Sequence, residues 1–306
     1  YGGFRAAVLA KALQNRSGIA PSGAILISPA LEFSLLRGDP SFALLPWALS
    51  LPSFAAVHFE KQGVTDPETL ASRLHEVERF ALTDYLVYLA AGRQAGSAEV
   101  NASLAAYTGL PPELIARQHG RISASRFIKE YDRANGRVLS RYDGSVSGPD
   151  PNPGNPQPSG PDPVLDPAVP VWTTAFVAYV REALNYRTDL TYRLLNRDIS
   201  GRWDYGTSPT HQGFAGSLDE LQAARTMNPA LQVLVVHGYS DLVTTYFASR
   251  YLIDQLPPLA GVAPIELRVY GGGHMFYTRP ESRRALRRDA RAVYERALAA
   301  ARVHQP

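Results

Sequence analysis

The stretch LQVLVVHGYSD, from Leu231 to Asp241, decides the predicted fold. Its first six residues form a nearly continuous apolar run rich in valine, which is typical of a strand buried on both faces of a parallel sheet. Asp241 follows closely behind the end of that run. Functional groups in open α/β sheets lie at the carboxyl ends of the strands, so this position makes Asp241 a candidate site residue.

The next predicted strand covers residues 265–270, where apolar and polar residues alternate. The sequence GGGHM follows it at residues 271–275, so His274 also lies behind a strand end and is placed to meet Asp241. A carboxylate beside an imidazole holds the tautomer of the ring and stabilises the imidazolium ion, and the imidazole can take a proton from a hydroxyl nucleophile. The three glycines before His274 indicate a close backbone approach, which favours a site over an ordinary loop.

The N-terminal residues predict where the hydroxyl nucleophile would be. A buried strand is predicted over residues 24–28, after a helix over residues 4–14, and the chain opens with Tyr1-Gly2-Gly3. In the α/β-hydrolase order, a serine in a Gly-x-Ser-x-Gly turn precedes the acid and then the histidine. A Gly-x-Ser directly before Tyr1 would complete that turn. The chain also lacks an initiator methionine, so we expect it to continue a longer protein that carries the serine and any targeting segment upstream.

The domain organisation expected from these patterns is an α/β sheet domain with a helical insertion. Residues 1–34 and 211–306 are predicted to form the core, and residues 35–210 a mostly helical cap. An aromatic-rich stretch interrupted by Pro40, Pro46 and Pro52 opens the cap. The predicted helices share apolar residues at helical spacing; they cover residues 67–91, 97–108, 111–119, 123–131, 172–186, 218–227, 244–255 and 280–303.

The segment from residue 147 to residue 170 holds nine prolines. Proline removes a backbone donor and is incompatible with helix interiors and central strands. We therefore predict that residues 147–170 form an extended, mobile loop without a helix, lying on the surface of the cap.

Four short motifs, in order along the chain, resemble those of the serine carboxypeptidase family. Tyr1-Gly2-Gly3-Phe4-Arg5 resembles the segment after the family's nucleophile, whose turn reads Gly-Glu-Ser-Tyr-Gly-Gly or close to it. Ile27-Ser28-Pro29-Ala30 resembles the end of the next core strand, Gly238-Tyr239-Ser240-Asp241 the loop that bears the acid, and Gly273-His274-Met275 the Gly-His-Met at the catalytic histidine. The order and spacing match along the whole chain, and the resemblance is greatest to bacterial members without disulfides.

The resemblance implies an α/β-hydrolase core with a mostly parallel sheet, a large helical cap and an N-terminal part of the sheet that lies upstream of this chain. It implies a serine-type carboxypeptidase that hydrolyses C-terminal peptide bonds through an acyl-enzyme, with Asp241 as triad acid and His274 as triad base. The backbone N–H of Tyr1 would be an oxyanion-hole donor. Met275 would line the leaving-group side of the cleft, and Thr244 stands where some members carry a cysteine near the substrate.

The resemblance also implies peptides as substrates, no metal or cofactor, secretion or periplasmic export, and association with the upstream segment that carries the serine. That serine, the second oxyanion-hole donor and the Asn and Glu residues that bind a substrate's free carboxylate are outside these 306 residues. Two alternatives therefore stay open. One is an esterase, acyltransferase or aminopeptidase-like hydrolase on the same triad, which the upstream Asn and Glu would discriminate. The other is a non-catalytic homologue that only binds peptides, which the residue before Tyr1 would discriminate.

Two other groups of residues invite a functional interpretation that we reject. His237 is a rival base, but it precedes the acid and lies nearer the strand, so we expect a histidine satisfied beside the site. The segment HEVER starting at His75 begins like the zinc motif H-E-x-x-H, but Arg79 stands in place of the second histidine.

Composition excludes several classes of protein. The chain has no cysteine, so it has no disulfide, no thiolate metal site and no cysteine nucleophile. The formal net charge is only +3, and the arginines of the last predicted helix are interrupted by Glu281 and Asp289 without an aromatic platform. We read them as a solvated face, not a nucleic-acid site. No apolar run approaches the roughly 20 residues of a membrane span.

Overall fold

A computed structural model describes residues 2–37, 42–202 and 215–303 of the chain. Within these residues the protein is mixed α/β, with a parallel sheet of three strands and a short antiparallel hairpin. The strands, in chain order, are β1 (Gly23–Ile27), β2 (Arg137–Leu139), β3 (Ser147–Pro149), β4 (Gln232–Gly238) and β5 (Glu266–Tyr270). The parallel sheet has the order β1-β4-β5, and the hairpin pairs β2 with β3.

The parallel sheet contains all three strands that the sequence predicts. β4 lies in the middle, where Leu234 is opposite Ile25 of β1 on one side and Glu266 of β5 on the other. Helices cover both faces of the sheet, so β4 is buried on both sides, which explains its continuous apolar run. Because the strands are parallel, their carboxyl ends meet at one edge of the sheet. The loops that carry Asp241 and His274 leave from that edge.

Helices make up most of the remaining described structure. In chain order they are α1 (Gly2–Ser17), α2 (Ser34–Arg37), α3 (Leu45–Lys61), α4 (Pro67–Leu82), α5 (Asp84–Ala90), α6 (Ala98–Thr108), α7 (Pro112–Arg117), α8 (Ala124–Glu130), α9 (Leu165–Glu182), α10 (Arg197–Arg202), α11 (Leu218–Met227), α12 (Tyr246–Asp254) and α13 (Pro280–Val303). None of the helices in the described part of the chain is both long enough and apolar enough to cross a membrane.

The sheet is covered by helices on both faces. On one face, Ala10 of α1 and Leu221 of α11 belong to one buried cluster with Val235 of β4. On the other face, Val293 of α13 clusters with Val236 of β4. Successive strand residues point to opposite faces, so the valine run of β4 supplies apolar side chains to both layers.

The helices of the insertion surround a second, larger core. Phe54 of α3 and Phe127 of α8 are fully buried and stack with their ring centroids 4.4 Å apart. The same cluster extends to Tyr246 and Phe247 of α12, which follows the loop after β4. The insertion therefore packs directly on α12, the helix behind the acid loop. The proposed boundaries of core and cap, 1–34, 35–210 and 211–306, stay a prediction.

Helix α3 occupies a stretch for which the proline pattern gave no helix. Pro46 lies in its first turn, where backbone N–H groups have no partner within the helix, so proline is tolerated there. Pro52 lies inside the helix and removes one backbone hydrogen bond. Burial of the apolar side chains around it, among them Phe54 and Val57, outweighs that loss.

Two further predictions of secondary structure were wrong. The predicted helix over residues 67–91 is two helices, α4 and α5, separated at Thr83, whose hydroxyl donates to the carbonyl of Arg79. The predicted loop over residues 147–170 contains β3 at its start and the first residues of α9 at its end. The N–H groups of Val164 and Leu165 at that helix start donate to the carboxylate of Asp162. Pro167 follows in the first turn, where it is compatible with a helix.

Candidate active site

The acid loop places Asp241 three residues after the end of β4. Its carboxylate is completely buried. Oδ1 accepts the backbone N–H groups of Val243 and Thr244 at 2.7 and 3.0 Å, and Oδ2 accepts the hydroxyl of Thr244 at 2.8 Å. Burial alone would raise the pKa of Asp241, but the charge and hydrogen bond of His274 and the Thr244 amide hold the pKa below its ordinary value. Asp241 is therefore an ionised buried carboxylate.

The structure brings the two predicted site residues together. Nδ1 of His274 lies 2.8 Å from Oδ2 of Asp241. The side chain of His274 is 28% exposed, whereas that of Asp241 is inaccessible. Burial alone would lower the pKa of His274, but the charge and hydrogen bond of Asp241 raise it above the ordinary value. The imidazolium form is thus favoured more than in a free histidine.

The partner of each ring nitrogen defines the tautomer. An ionised carboxylate only accepts hydrogen bonds, so Nδ1 of neutral His274 carries the proton and Nε2 carries the lone pair. Both hydrogen-bond contacts of the ring within the described residues are made by Nδ1, with Asp241 and, at 3.2 Å, with the Thr244 hydroxyl. Nε2 is left as the basic atom, which is the arrangement a general base requires.

The rival histidine, His237, lies on the other side of the acid loop. It is fully buried, with Nδ1 3.1 Å from the carbonyl of Thr244 and Nε2 2.9 Å from Oγ of Ser249. A carbonyl only accepts, so Nδ1 carries the proton and Nε2 accepts the Ser249 hydroxyl. Burial lowers the pKa of His237 to about 4. The ring is therefore a neutral support for the turn that holds Asp241.

The glycines of the two loops are required by close backbone contact. A Cβ on Gly238 would lie 2.2 Å from the carbonyl oxygen of Gly273. A Cβ on Gly273 would lie 2.0 Å from the carbonyl oxygen of Tyr142. Both distances are impossible for real side chains, so only glycine allows the acid loop and the histidine loop to pack this closely.

Two residues that the sequence analysis gave no role hold the backbone of His274. Its N–H donates to the carbonyl of Tyr142 at 2.6 Å, and its carbonyl accepts the hydroxyl of Ser28 at 2.9 Å. The Tyr142 ring also meets the imidazole edge-on, with centroids 5.7 Å apart. Ser28 stood in the quoted strand-end motif and could have been found there. Tyr142 lies between two three-residue strands that no periodicity indicates.

The structure says less about Tyr1 and Met275, the other two site residues that the resemblance implies. Tyr1 lies outside the described residues, so its backbone N–H has no structural account here. Helix α1 begins next to it, and a Cβ on Gly3 would meet Pro29 at 2.6 Å. Since Pro29 follows Ser28, which bonds His274, the start of α1 lies at the same sheet edge as the two loops. Met275 is half-buried next to His274, and its role at the leaving group stays a prediction.

No metal centre is evident at the site. Among residues 2–37, 42–202 and 215–303, no three His, Cys, Asp or Glu side chains are grouped so that they could hold a metal ion. In the rejected zinc-like segment, His75 contacts Glu78 at 3.3 Å, and Glu78 accepts the hydroxyl of Tyr246 at 2.7 Å. That segment takes part in packing α4 against α12.

Comparison with known proteins gave no family model that matches the chain, and no curated protein or solved structure with significant similarity to it.

Proposed function

We propose that this chain carries the acid and base of a serine-type carboxypeptidase with an α/β-hydrolase core. The observation that supports this most is the 2.8 Å contact between the buried carboxylate of Asp241 and Nδ1 of the partly exposed His274. The two side chains come from consecutive strand ends of one parallel sheet, in the order acid then histidine that α/β-hydrolases use. The serine is the one that the resemblance puts directly before Tyr1.

The proposed reaction is hydrolysis through an acyl-enzyme. Nε2 of His274 takes the proton of the serine hydroxyl while the serine oxygen attacks the carbonyl carbon of the C-terminal peptide bond. His274 then gives that proton to the departing amine as the carbon–nitrogen bond breaks. A water molecule, deprotonated by the same nitrogen, attacks the ester carbonyl. The free carboxylic acid leaves and the serine recovers its proton.

Asp241 has two roles in this scheme. It fixes the imidazole with Nδ1 protonated, so Nε2 is always the basic atom. It also stabilises the imidazolium ion that forms in each half-reaction, and the raised pKa of His274 reflects that stabilisation. The four hydrogen-bond contacts to the carboxylate keep Asp241 ionised throughout, because each favours the charged form.

The position of α1 is consistent with a nucleophile at this site. In an α/β-hydrolase the serine lies in a sharp turn between a strand and the helix that follows. Helix α1 begins at Gly2, and Gly3 packs against Pro29 at the edge that carries His274. The start of α1, at Gly2 and Gly3, is therefore near the sheet edge to which both loops belong, which supports a nucleophile upstream of that helix at this site.

The test is hydrolysis by the full gene product that contains this chain. Three substrates separate the candidates: a blocked dipeptide with a free C-terminal carboxylate, the same dipeptide as its C-terminal amide, and a simple ester. We expect rapid cleavage of the first, slow cleavage of the second, and labelling of one serine by a fluorophosphonate. Preference for the ester over both peptides would indicate an esterase. Absence of cleavage and labelling would indicate a protein that only binds peptides.

A further inference from the structure

The turn between β2 and β3 (residues 141–145, the β2–β3 turn) contacts both loops of the candidate site. Toward the acid loop, the N–H of Gly144 donates to the carbonyl of Ser240 at 3.0 Å, and the N–H of Leu242 donates to the carbonyl of Arg141 at 3.2 Å. These two bonds lie on either side of Asp241 in the sequence. The turn therefore fixes the backbone that carries the acid.

The same turn contacts the histidine loop. The carbonyl of Tyr142 accepts the N–H of His274 at 2.6 Å, and the Tyr142 ring packs edge-on against the imidazole. Asp143 packs against Gly273, because a Cβ on Gly273 would lie 2.5 Å from the Cα of Asp143. One turn of five residues thus contacts the backbone of His274 and of the two residues that flank Asp241.

Arg279 holds the turn from the other side. One of its nitrogens, Nη2, donates to Oδ2 of Asp143 at 3.0 Å and to Oγ of Ser145 at 2.6 Å. The other, Nη1, donates to Oε1 of Glu60 on α3 at 2.6 Å. The second oxygen of Glu60 accepts the hydroxyl of Ser240 at 2.9 Å. The guanidinium therefore joins α3, the turn and the acid loop.

The β2–β3 turn is tightly packed against its neighbours. A Cβ on Gly144 would lie 2.4 Å from a methyl carbon of Val57 on α3, so the turn packs directly on that helix. Asp162, in the proline-rich segment, holds the start of the turn by accepting the Ser140 hydroxyl at 2.7 Å and the Arg141 N–H at 2.8 Å. Displacement of the turn would require several of these contacts to break together.

We propose that the β2–β3 turn and Arg279 are the device that positions the imidazole of His274 against Asp241. Neither is a catalytic residue in this proposal, because both act through the backbone of the two loops. The catalytic consequence rests on the proposed function. The effect on the Asp241–His274 hydrogen bond is independent of the proposed function, because this effect can be measured without any substrate.

Replacement of Arg279 tests the proposal. Arg279→Met leaves Glu60 and Asp143 without their shared cation, and Arg279→Lys restores the charge. A lysine cannot reproduce the planar fork that reaches both carboxylates. Arg287→Met is the matched control, because Arg287 is an exposed arginine on α13, the helix that begins directly after Arg279. Ser145→Ala removes one contact of Arg279 and serves as a milder variant if Arg279→Met does not fold.

The first readout is the proton NMR resonance of His274 Nδ1–H in the full gene product, assigned by its loss on Asp241→Asn. We expect this resonance to broaden or disappear in Arg279→Met, to weaken in Ser145→Ala and Arg279→Lys, and to stay unchanged in Arg287→Met. The second readout is peptide hydrolysis. A displacement of the base by 1 Å costs about 10²-fold in rate, so kcat should fall by about that factor in Arg279→Met while KM changes little.

The outcomes separate the two proposals. Folded Arg279→Met and Ser145→Ala variants with an unchanged Nδ1 resonance would overturn the positioning role. If the variants alter the resonance but the unmodified protein hydrolyses none of the three substrates, the positioning role holds and the proposed function fails.

Discussion

Nδ1 of His274 and Oδ2 of Asp241 are 2.8 Å apart although the two residues are separated by 33 positions in the sequence. Two consecutive strands of a parallel sheet bring them together, since both loops leave the same edge. Burial of a charged carboxylate costs free energy unless hydrogen bonds and an opposite charge compensate for the lost water. Asp241 accepts three hydrogen bonds in addition to its contact with His274, so its charge is compensated. The four hydrogen-bond contacts of Asp241 therefore suit the role that we propose for it beside His274.

The first prediction compares the acid with the buried histidine beside it. Replacing Asp241 by Asn in the full gene product should leave the fold intact and lower kcat by about 10⁴, because the imidazole loses its tautomer control. Replacing His237 by Gln should cost much less, because His237 has no part in the proposed proton transfer.

The measurement is peptide hydrolysis by both variants, with circular dichroism as the check on folding. Asp254→Asn, an exposed aspartate on α12, controls for the loss of one carboxylate. A nearly active Asp241→Asn variant would show that another carboxylate serves as the acid. Equal losses in Asp241→Asn and His237→Gln would assign His237 a direct role.

The second prediction concerns the stability of the fold in acid. The pKa of His237 is lowered by burial from 6.5 to about 4. The unfolded chain therefore binds a proton between pH 6.5 and 4 that the folded chain does not, so the contribution of His237 to stability is present above pH 6.5 and lost as the pH falls through this window. The loss should be about 3 kcal/mol, from 1.36 kcal/mol per pKa unit.

Urea unfolding of the wild-type chain and of His237→Gln at a series of pH values measures the contribution of His237 to the free energy of unfolding. Glutamine can donate to the Thr244 carbonyl and does not titrate, so the variant should lack this part of the pH dependence. The difference between the two curves isolates His237 from other titrating groups, including His274. Parallel curves between pH 6.5 and 4 would contradict the assignment.

The parallel sheet and the proximity of Asp241 to His274 could be predicted because their signals are local. A continuous apolar run or an alternation of apolar and polar residues indicates a strand, and functional groups are expected in the loops directly behind such strands. Asp241 follows the continuous valine-rich run of β4 and His274 follows the alternating pattern of β5, so two strand assignments and the rule for parallel sheets bring them together. The glycines before His274 likewise indicated the close contact that Tyr142 makes.

The insertion could be predicted only in part because tertiary packing decides its elements. Burial of Phe54 and its neighbours carries α3 past Pro52, which propensity alone would not allow. The contacts of Tyr142 and Arg279 join segments more than 130 positions apart in the sequence. No pattern within a window of the sequence encodes such contacts, so the residues that support the site were found only in the structure.

The third prediction uses two glycines of the histidine loop. A methyl group on Gly273 would meet the Tyr142 carbonyl at 2.0 Å, whereas the nearest atom to one on Gly271 is 3.8 Å away. Gly273→Ala should therefore push the β2–β3 turn from the loop, lower stability by about 1–3 kcal/mol and lower kcat by about 10². Gly271→Ala should do neither to a comparable extent. Thermal unfolding and peptide hydrolysis measure the two effects. Equal stability and equal kcat of the two variants would contradict the tight packing of the β2–β3 turn against Gly273.

The last prediction concerns Lys129 and Asp150, which form an ion pair 2.5 Å long with almost no exposure of either side chain. Lys129 also donates to the carbonyl of Asn152 at 2.7 Å, and Arg126 and Arg133 donate to carbonyls further along the proline-rich segment. The segment is thus attached to α8 and the turn after it through three cationic side chains.

Replacing Lys129 by Met leaves the buried Asp150 carboxylate without its cationic partner, which should lower the unfolding free energy by about 3–5 kcal/mol. Lys61→Met is the matched control, because Lys61 is exposed, and it should change stability by no more than about 0.5 kcal/mol. Adding Asp150→Leu to Lys129→Met should recover much of the loss, since no buried charge then remains unpaired. Denaturant unfolding measures all three variants. If the double replacement is as unstable as Lys129→Met alone, the loss comes from the missing Lys129–Asn152 hydrogen bond and not from the unpaired charge.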